Sequence, residues 1–287
     1  MITKSLFSHK TYEPKGNVLY IVGTPIGNLN DISSRAINIL ANVSFIACED
    51  TRQTLKIMNK FKITNQLESF NKINSFKKIA KIINALKSGK SIALVSDAGM
   101  PTICDPGEDL IKEAKLNGIV IICIPGPCAA LTALVSSGMP ASRFIFEGFL
   151  PKKKKEREEI LLEISRNEKT TIIYESPHRI NKLLIELRDF CGGSRQIQVS
   201  RELTKKFEEN ISTTIDTVID LFEGKEILGE ITIVIEGLQK SRNLVIDEII
   251  LKKELKELID AGLSLSGASK YLAKKHKFPK SLIYNLY

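Results

Sequence analysis

Short apolar runs alternate with amphipathic helical runs from residue 18 to about residue 137. Five runs read as strands, and they are 18–23, 43–48, 65–70, 91–96 and 119–124. Strands that are apolar on both faces and separated by helices are typical of a parallel sheet covered on both sides. The sequence therefore predicts five strand–helix units in one α/β domain, with the first helix beginning near Asp31 as a possible N-cap.

A second α/β region follows, between about residues 143 and 238. Its predicted strands are 144–149, 170–175, 196–200 and 230–237, and its predicted helices are 153–165 and 178–190. Gly138 and Pro140 lie between the two regions, where a change of chain direction is expected. We therefore expect one domain over 1–140 and a second over 141–239.

The third segment, 240–287, is basic, with ten Lys or Arg against five Asp or Glu. Its apolar spacing predicts a helix that ends at Gly262 and two shorter helices after it. One interpretation is a small basic module of the helix-turn-helix type. The other is a helical tail that packs on the body and keeps its lysines in solvent.

Composition limits the class of protein. The chain has 287 residues, 43% of them hydrophobic, which is enough for large cores, and a formal net charge of +9. That charge favours a polyanionic partner, either nucleic acid or a membrane surface. The alternative is a general enrichment in Lys that has no partner behind it.

Cysteine and histidine usage argues against a disulfide framework and against metal. The five cysteines are odd in number and have no CxxC spacing, and there are only three histidines. We therefore expect no metal and a reducing compartment, the cytoplasm. We also expect no export signal and no membrane span, since no run of about 18 apolar residues occurs.

Three loops rich in Gly and Pro follow predicted strands, at 22–31, 96–107 and 125–130. The carboxyl ends of parallel strands meet at one edge of a sheet, so we expect the loops to lie together and form a binding crevice. The spacing matches neither GxGxxG nor GxxxxGK[ST], which argues against the dinucleotide and P-loop modes. For one loop alone, a simple tight turn is the competing interpretation.

Charged residues also follow strands, in "CEDTR" (48–52) and "YESPHR" (174–179). The first places Glu49, Asp50 and Arg52 at a strand end, and the second does the same for His178 and Arg179. A structural ion pair or helix cap is one interpretation. Because both halves of the chain carry such residues, a substrate cleft between the two domains is the other.

The chain closely resembles the ribosomal RNA small subunit methyltransferase I family of tetrapyrrole-methylase-like enzymes. The matching stretches run in family order over about 18–238, and they are "LYIVGTPIGNLNDIS", "IACEDTR", "ALVSDAGMPTICDPG", "PGPCAALTALVSSGMP", "FEGFLPKKK", "YESPHR" and "SRELTKKFEE". The resemblance implies two α/β domains with the active site in the cleft between them, a small C-terminal helical module and a homodimer. It also implies 2′-O-methylation of a decoding-region cytidine in 16S rRNA, with S-adenosylmethionine as donor.

The resemblance, together with the crevice, gives the residues expected at the donor. They are Gly23, Pro25, Ser96, Asp97, Gly99, Met100, Pro101, Ile103, Pro125, Gly126, Cys128 and Ala129. The family usually has Thr where this chain has Met100, so a contact there would come from the backbone. The family also commonly has a His- and Glu-rich stretch where this chain reads "SFNKIN" (69–74).

Because that stretch lacks an obvious base, the base is sought elsewhere. The candidates are Asp50, Glu49 and His178. The residues expected on RNA phosphates are Arg52, Arg179, Lys152, Lys153 and Lys154, together with lysines of the C-terminal segment. The small ribosomal subunit or its free RNA would be the partner.

Two alternative functions remain at this point. One is a methylase of the same fold that acts on a tetrapyrrole of the precorrin type, although the basic charge argues against it. The other is a non-catalytic RNA-binding assembly factor of the same fold, which Met100 and the altered 69–74 stretch favour.

Overall fold

The computed structural model describes residues 7–8, 11–71, 73, 75–239, 248–276 and 280–287. The chain forms two compact units, and the boundary between them lies between Leu238 and Gln239. Both sheets lie in the first unit, so the predicted division at residue 140 stays a prediction. Within the described ranges, no helix is long and apolar enough to cross a membrane.

Five parallel strands form the first sheet. They are β3 (Val18–Val22), β4 (Phe45–Cys48), β5 (Leu67–Ser69), β6 (Ile92–Val95) and β7 (Val120–Ile124). Two short strands before them, β1 (Phe7–Ser8) and β2 (Thr11–Tyr12), form a separate antiparallel pair. The order across the sheet is β5–β4–β6–β3–β7. All five predicted strands are therefore confirmed, as is their parallel arrangement.

Helices cover both faces of the first sheet. They are α1 (Ser34–Asn42), α2 (Thr51–Phe61), α3 (Ser75–Lys87) and α4 (Glu108–Leu116), whereas α5 (Ala129–Ser137), which follows β7, packs on the second sheet. The helices α1 and α2 pack in one apolar cluster, whereas α3 and α4 pack in another. The helix after β3 and the helix after β6 therefore lie on opposite faces of the sheet, although β3 and β6 are neighbours. The gap between these two strands is a topological switch point.

The start of α1 differs from the prediction. Asp31 ends a short 3₁₀ turn, and the N-cap is Ser33, whose Oγ accepts a hydrogen bond from the amide of Ala36 at 3.1 Å. The predicted cap at Asp31 was wrong because two short polar residues compete for this role, and Ser33 directly precedes the helix.

The second sheet is mixed rather than parallel. Its strands are β8 (Phe144–Phe149), β9 (Thr170–Glu175), β10 (Gln196–Arg201), β11 (Glu209–Thr214) and β12 (Ile231–Ile235), in the order β11–β10–β12–β9–β8. Only the β8–β9 pair is parallel. The four predicted strands are confirmed, and β11 is an additional edge strand that the sequence did not predict.

The two faces of the second sheet have different coverings. The outer face packs against α6 (Lys154–Arg166), α7 (Ile180–Cys191) and α8 (Ile215–Phe222). The inner face packs against α5, whose Ala130 and Leu134 share an apolar cluster with Ile172 of β9 and Val234 of β12. Because α5 follows directly from β7, this packing holds the strand ends of the first sheet beside the second sheet.

The second unit is a small helical assembly. It contains α9 (Glu248–Asp260), α10 (Leu265–His276) and α11 (Lys280–Tyr284), as the sequence predicted. Its core includes Leu255, Leu272 and Ile283. The φ of Gly262 is +96°, which suits glycine and ends the first helix at the predicted place. The helix-turn-helix interpretation stays a prediction.

Candidate functional site

The three glycine- and proline-rich loops meet at the carboxyl edge of the first sheet, as the sequence predicted. They follow β3, β6 and β7, which are neighbours. The loops after β3 and β6 are joined by two backbone hydrogen bonds, from Thr24 to Gly99 at 2.8 Å and from Gly99 to Thr24 at 3.1 Å. The edge is therefore a connected structure and not a set of independent turns.

Two glycines allow the loops after β3 and β7 to touch. A methyl group added to Gly23 would lie 2.7 Å from Cα of Gly126, and one added to Gly126 would lie 2.8 Å from Cα of Gly23. The same group on Gly23 would lie 2.6 Å from Sδ of Met100. Neither position has room for a side chain, so these glycines set the distance between the loops.

A cleft of about 400 Å³ opens at this edge, between the first sheet and the inner face of the second. On the first-sheet side its lining residues are Ile26, Glu49, Asp97, Ala98, Gly99, Met100, Ile103, Cys104, Asp105, Cys128 and Ala129. On the second-sheet side they are Phe149, Tyr174, Glu175, Ser176, Pro177, Glu230, Ile231 and Thr232. The volume is in the range of small-molecule sites.

Tyr174 closes the cleft on the second-sheet side. Its hydroxyl oxygen accepts a hydrogen bond from the amide of Ala130 at 3.0 Å, at the first turn of α5. Phe146 and Phe149 meet its ring edge-on, at centroid distances of 5.0 and 5.7 Å. Burial raises the pKa of the Tyr174 hydroxyl well above its ordinary value. The residue is therefore a neutral aromatic wall at physiological pH.

The cleft lining is acidic. Among its described residues are five acids, Glu49, Asp97, Asp105, Glu175 and Glu230. The described lining contains no Lys, Arg or His. Glu175 and Glu230 are paired with Arg179 and Lys205, so the charge that favours a positively charged ligand lies on the first-sheet side, which includes Asp97.

The carboxyl groups of Asp97 and Asp50 have pKa values that are shifted in opposite directions. Partial burial raises the pKa of its carboxyl group, although the amide of Asp50 donates a hydrogen bond to Oδ1 at 2.9 Å. In Asp50 the opposite holds, since hydrogen bonds from Arg52 lower the pKa of its carboxyl group. A carboxylate whose pKa is raised is the better proton acceptor of the two.

A buried ion network supports the second wall. Glu175 is fully buried in its side chain, and Arg179 Nη2 lies 2.6 Å from its Oε1. Arg157, which is 7% exposed in its side chain, lies 3.6 Å from Oε2 of Glu175 and 2.7 Å from Glu186. The network therefore links α6 and α7 to the end of β9. Ser176, which lines the second-sheet wall, follows directly after that strand.

Six of the twelve residues expected at the donor line the cleft, and they are Asp97, Gly99, Met100, Ile103, Cys128 and Ala129. The other six lie in the same loops but are not part of the lining, and they are Gly23, Pro25, Ser96, Pro101, Pro125 and Gly126. Ser96, for example, is buried and donates from Oγ to the carbonyl of Ala98 at 3.2 Å.

The three candidate bases differ in position. Glu49 lines the cleft, whereas Asp50 and His178 are not part of the lining. Asp50 caps α2, and its two carboxylate oxygens accept hydrogen bonds from Arg52 at 2.6 to 3.1 Å. His178 is exposed in the turn before α7.

The predicted RNA contacts lie on the surface. The side chain of Arg52 is 85% exposed, and that of Arg179 is 30% exposed. Lys152, Lys153 and Lys154 are all exposed at the start of α6, where Lys153 pairs with Glu156 at 2.9 Å. Of the 69–74 stretch, Lys72 and Asn74 lie outside the described residues.

Sequence reasoning missed most of the second-sheet wall, including Phe149, Tyr174, Glu230 and Thr232. The signal for Tyr174 was its place in "YESPHR", directly before the predicted strand end. The residues of β12 gave no local signal, because they reach the cleft only through the packing of α5 on the second sheet.

The chain is similar to known proteins over most of its length. The profile of the family "Tetrapyrrole (Corrin/Porphyrin) Methylases" matches residues 18–219. A Bacillus subtilis protein named ribosomal RNA small subunit methyltransferase I is 42% identical over 277 residues, which are 94% of each chain. A Synechocystis protein of the same name is 40% identical and covers 94% of this chain and 96% of its own.

Solved structures share the fold at low sequence identity. A cobalt precorrin-4 methyltransferase is 16% identical, with a TM-score of 0.60, over 77% of this chain and 95% of its own. A uroporphyrin-III C-methyltransferase from Thermus thermophilus in complex with S-adenosylhomocysteine is 13% identical, with a TM-score of 0.54, over 75% and 96% of the two chains.

Proposed function

The chain belongs to the tetrapyrrole methylase family, and within it to the relatives named ribosomal RNA small subunit methyltransferase I, and on this basis we propose its reaction. The protein is a methyltransferase whose donor is S-adenosylmethionine. The proposed acceptor is the ribose 2′-hydroxyl of a cytidine in the decoding region of 16S rRNA. The acidic cleft at the edge of the first sheet is the observation that carries this proposal.

The residues of the cleft suit the donor. S-adenosylmethionine carries a positive sulfonium, a positive ammonium group and one carboxylate, so its net charge is positive, and carboxylates such as Asp97 and Asp105 complement the two cationic groups. The apolar side chains of Ile26, Met100 and Ile103 suit the adenine and the thioether carbons. We propose that these residues and the backbone of the loop around Gly99 hold the donor.

The donor supplies a methyl group that is already activated, so the protein has to position the acceptor and remove its proton. We propose that the carboxylate of Asp97 accepts the proton of the ribose hydroxyl, because Asp97 lines the cleft and its pKa is raised by burial. Glu49 lines the same cleft and is the second candidate. The aromatic side chains of Tyr174 and Phe149 line the cleft and would limit the access of water to the reacting groups.

We propose that RNA is held outside the cleft and not within it. The described lining has no cation, whereas Arg52 and the lysines at the start of α6 are exposed. The phosphates would therefore stay at the rim while one nucleoside enters. The partner would be the small ribosomal subunit or its RNA, and the enzyme would work in the cytoplasm, where that RNA is.

We also propose a homodimer. β7 is an edge strand, and Val120 on it is 56% exposed. On the following helix α5, Leu131 is 48% exposed and Val135 is 79% exposed. A second copy that covers this edge would bury these side chains and cover the outer backbone edge of β7, which has no neighbouring strand in the sheet. Light scattering would give about 64 kDa for a dimer, twice the 32.0 kDa of one chain.

The deciding experiment is transfer of a labelled methyl group to purified small subunits that lack the modification. We expect the label in 16S rRNA, at one cytidine. The phosphodiester bond after that cytidine should resist alkaline cleavage, because a 2′-O-methyl group blocks attack by the ribose oxygen. A parallel reaction offers a precorrin-type tetrapyrrole as acceptor, and label transferred to it and not to the small subunits would establish the tetrapyrrole alternative. Label on a base, and not on the ribose, would contradict the proposed acceptor atom.

A further inference from the structure

The loop between β10 and β11, residues 202–208, is held in a strained and well-anchored conformation. We call it the rim loop. Its residues Glu202 and Thr204 have φ values of +52° and +65°, which are unusual for residues with side chains. Thr204 donates its amide hydrogen to Glu208 Oε2 at 2.8 Å, and the amide of Lys205 donates to the carbonyl of Glu202 at 2.9 Å. Strain of this kind is found where the local shape matters for function.

The rim loop is fixed to both walls of the cleft. Leu203 is buried in the same apolar cluster as Ile26, which lines the first-sheet wall. Thr204 Oγ1 accepts a hydrogen bond from the amide of Asn28 at 3.1 Å. Lys205 Nζ lies 3.0 Å from Oε2 of Glu230, which lines the second-sheet wall. The loop therefore stands at the rim of the cleft at a fixed place.

An exposed aromatic ring and a cation stand on this loop. Phe207 is 66% exposed, and Nζ of Lys206 lies 5.4 Å from the centroid of its ring. The acids around them are engaged elsewhere: Glu209 pairs with Arg201 at 3.1 Å, and Glu208 accepts from Thr204. Within the described residues Lys206 has no ion pair. The charge of Lys206 therefore remains available beside the ring.

We propose that Phe207 and Lys206 form a stacking subsite for an unpaired nucleobase of the RNA substrate, next to the nucleotide whose ribose enters the cleft. Proteins that read single-stranded RNA stack bases on exposed aromatic rings and place cations on the neighbouring phosphates. A phenylalanine ring on a rigid, strained loop provides such a platform at little further cost in entropy. The inference rests on the proposed function, because it assigns part of the RNA to a surface beside that site.

The test compares Phe207→Ala and Phe207→Trp with the wild type and with Phe76→Ala. Phe76 is 89% exposed on α3, which packs on the face of the first sheet opposite α1 and α2, so it is a matched aromatic control. KM for small subunits, kcat, RNA affinity and the Kd of S-adenosylmethionine are measured, with thermal melting to check the fold.

We expect Phe207→Ala to weaken RNA affinity and to raise KM by about tenfold, with donor Kd and melting unchanged. Phe207→Trp should restore RNA affinity, since a larger ring also stacks. Lys206→Gln should weaken binding less and reduce its salt dependence, as expected when one phosphate is no longer neutralised. Phe76→Ala should behave as the wild type.

An RNA affinity within about twofold of wild type for Phe207→Ala would overturn the inference. So would an equal loss in Phe76→Ala, or a change in oligomeric state in place of RNA affinity, which would assign the ring to a protein contact. Failure of the wild type to methylate any RNA would count against the proposed function instead, because the affinity measurement needs no turnover.

Discussion

The main-chain amide of Asp50 donates a hydrogen bond of 2.9 Å to Oδ1 of Asp97, and so joins the start of α2 to the loop after β6. The carboxylate of Asp50 is turned away from this contact and accepts hydrogen bonds from Arg52. Of two neighbouring acids, one therefore has a structural role at a helix cap. The other is oriented in the cleft by its neighbour's backbone.

We predict that Asp97→Asn lowers kcat by at least about 100-fold, the usual contribution of a positioned general base. An asparagine there can still accept the hydrogen bond from the amide of Asp50, so the loop should keep its place. Asp50→Asn is the matched comparison, because asparagine is also a good N-cap. It should lose only the ion pair with Arg52 and retain most activity. The reverse ranking, measured with labelled donor and small subunits, would assign the base to Asp50.

The pH dependence separates the same two acids. A general base works only when deprotonated, so activity should rise with pH as the base loses its proton. Because burial raises the pKa of Asp97, the acid limb of kcat/KM should have its midpoint above the ordinary range of an aspartate. If Asp50 were the base, its lowered pKa would place that midpoint below the range. The profile of Asp97→Asn should lack the limb that the wild type shows.

Gly126→Ala is predicted to damage donor binding. The new methyl group would lie 2.8 Å from Cα and 2.9 Å from the carbonyl carbon of Gly23, so the two loops have to separate. We expect a loss of about 1–3 kcal/mol in unfolding free energy, as for overpacked sites, and weaker donor binding by calorimetry. Gly138→Ala is the control, because its φ of +68° makes alanine costly by about 1–2 kcal/mol although nothing lies within 4 Å, so it should lose stability and keep its donor affinity. Equal donor affinity in both variants would contradict the role of the close approach.

Much of the first sheet and its loops could be predicted from the sequence, for a local reason. Continuous apolar strands such as Ile92–Val95 and the Gly- and Pro-rich loops after them are signals carried by neighbouring residues. The edge strand Glu209–Thr214 was missed because its residues, "ENISTT", are mostly polar and exposed, so it has no apolar alternation to detect.

The second wall of the cleft could not be predicted, because it depends on contacts between distant parts of the chain. Tyr174 reaches the site by accepting a hydrogen bond from Ala130, 44 residues away. Two strands and two helices lie between Tyr174 and Glu230 in the sequence. Similarly, the choice between Asp50 and Asp97 depends on which way each carboxylate turns, and their sequence positions contain no information about that.

Removing Arg157 should destabilise the protein strongly. Its side chain is 7% exposed and lies between Glu175, whose side chain is fully buried, and Glu186. Arg157→Ala removes the charged hydrogen bond to Glu186, whereas Arg179 still pairs with Glu175, so we expect a loss of about 1.5–3 kcal/mol. Urea unfolding should show this loss. Arg188→Ala is the control, because its ion pair with Asp189 is exposed and 3.8 Å long, and it should change stability by less than about 0.5 kcal/mol. Similar values for the two variants would show that the network is not needed.

The lysines of the second unit are predicted to contribute to RNA binding. Lys270 and Lys274 are exposed one turn apart on α10, with Tyr271, which is 56% exposed, beside them. Lys270→Glu with Lys274→Glu should weaken RNA affinity. The slope of its salt dependence should fall by about 0.7 for each phosphate of single-stranded RNA that is no longer neutralised.

Two further measurements complete this test. Lys87→Glu with Lys90→Glu is the control of equal charge change, since both residues are exposed before β6, at the opposite end of the strand from the cleft. It should leave the salt dependence unchanged, because phosphate contacts and not net charge set that slope. Deletion after Leu238, where the first compact unit ends, should weaken RNA binding while the Kd of the donor stays the same. If neither the reversal on α10 nor the deletion alters RNA affinity, the lysines are only a solvated surface of a helical tail.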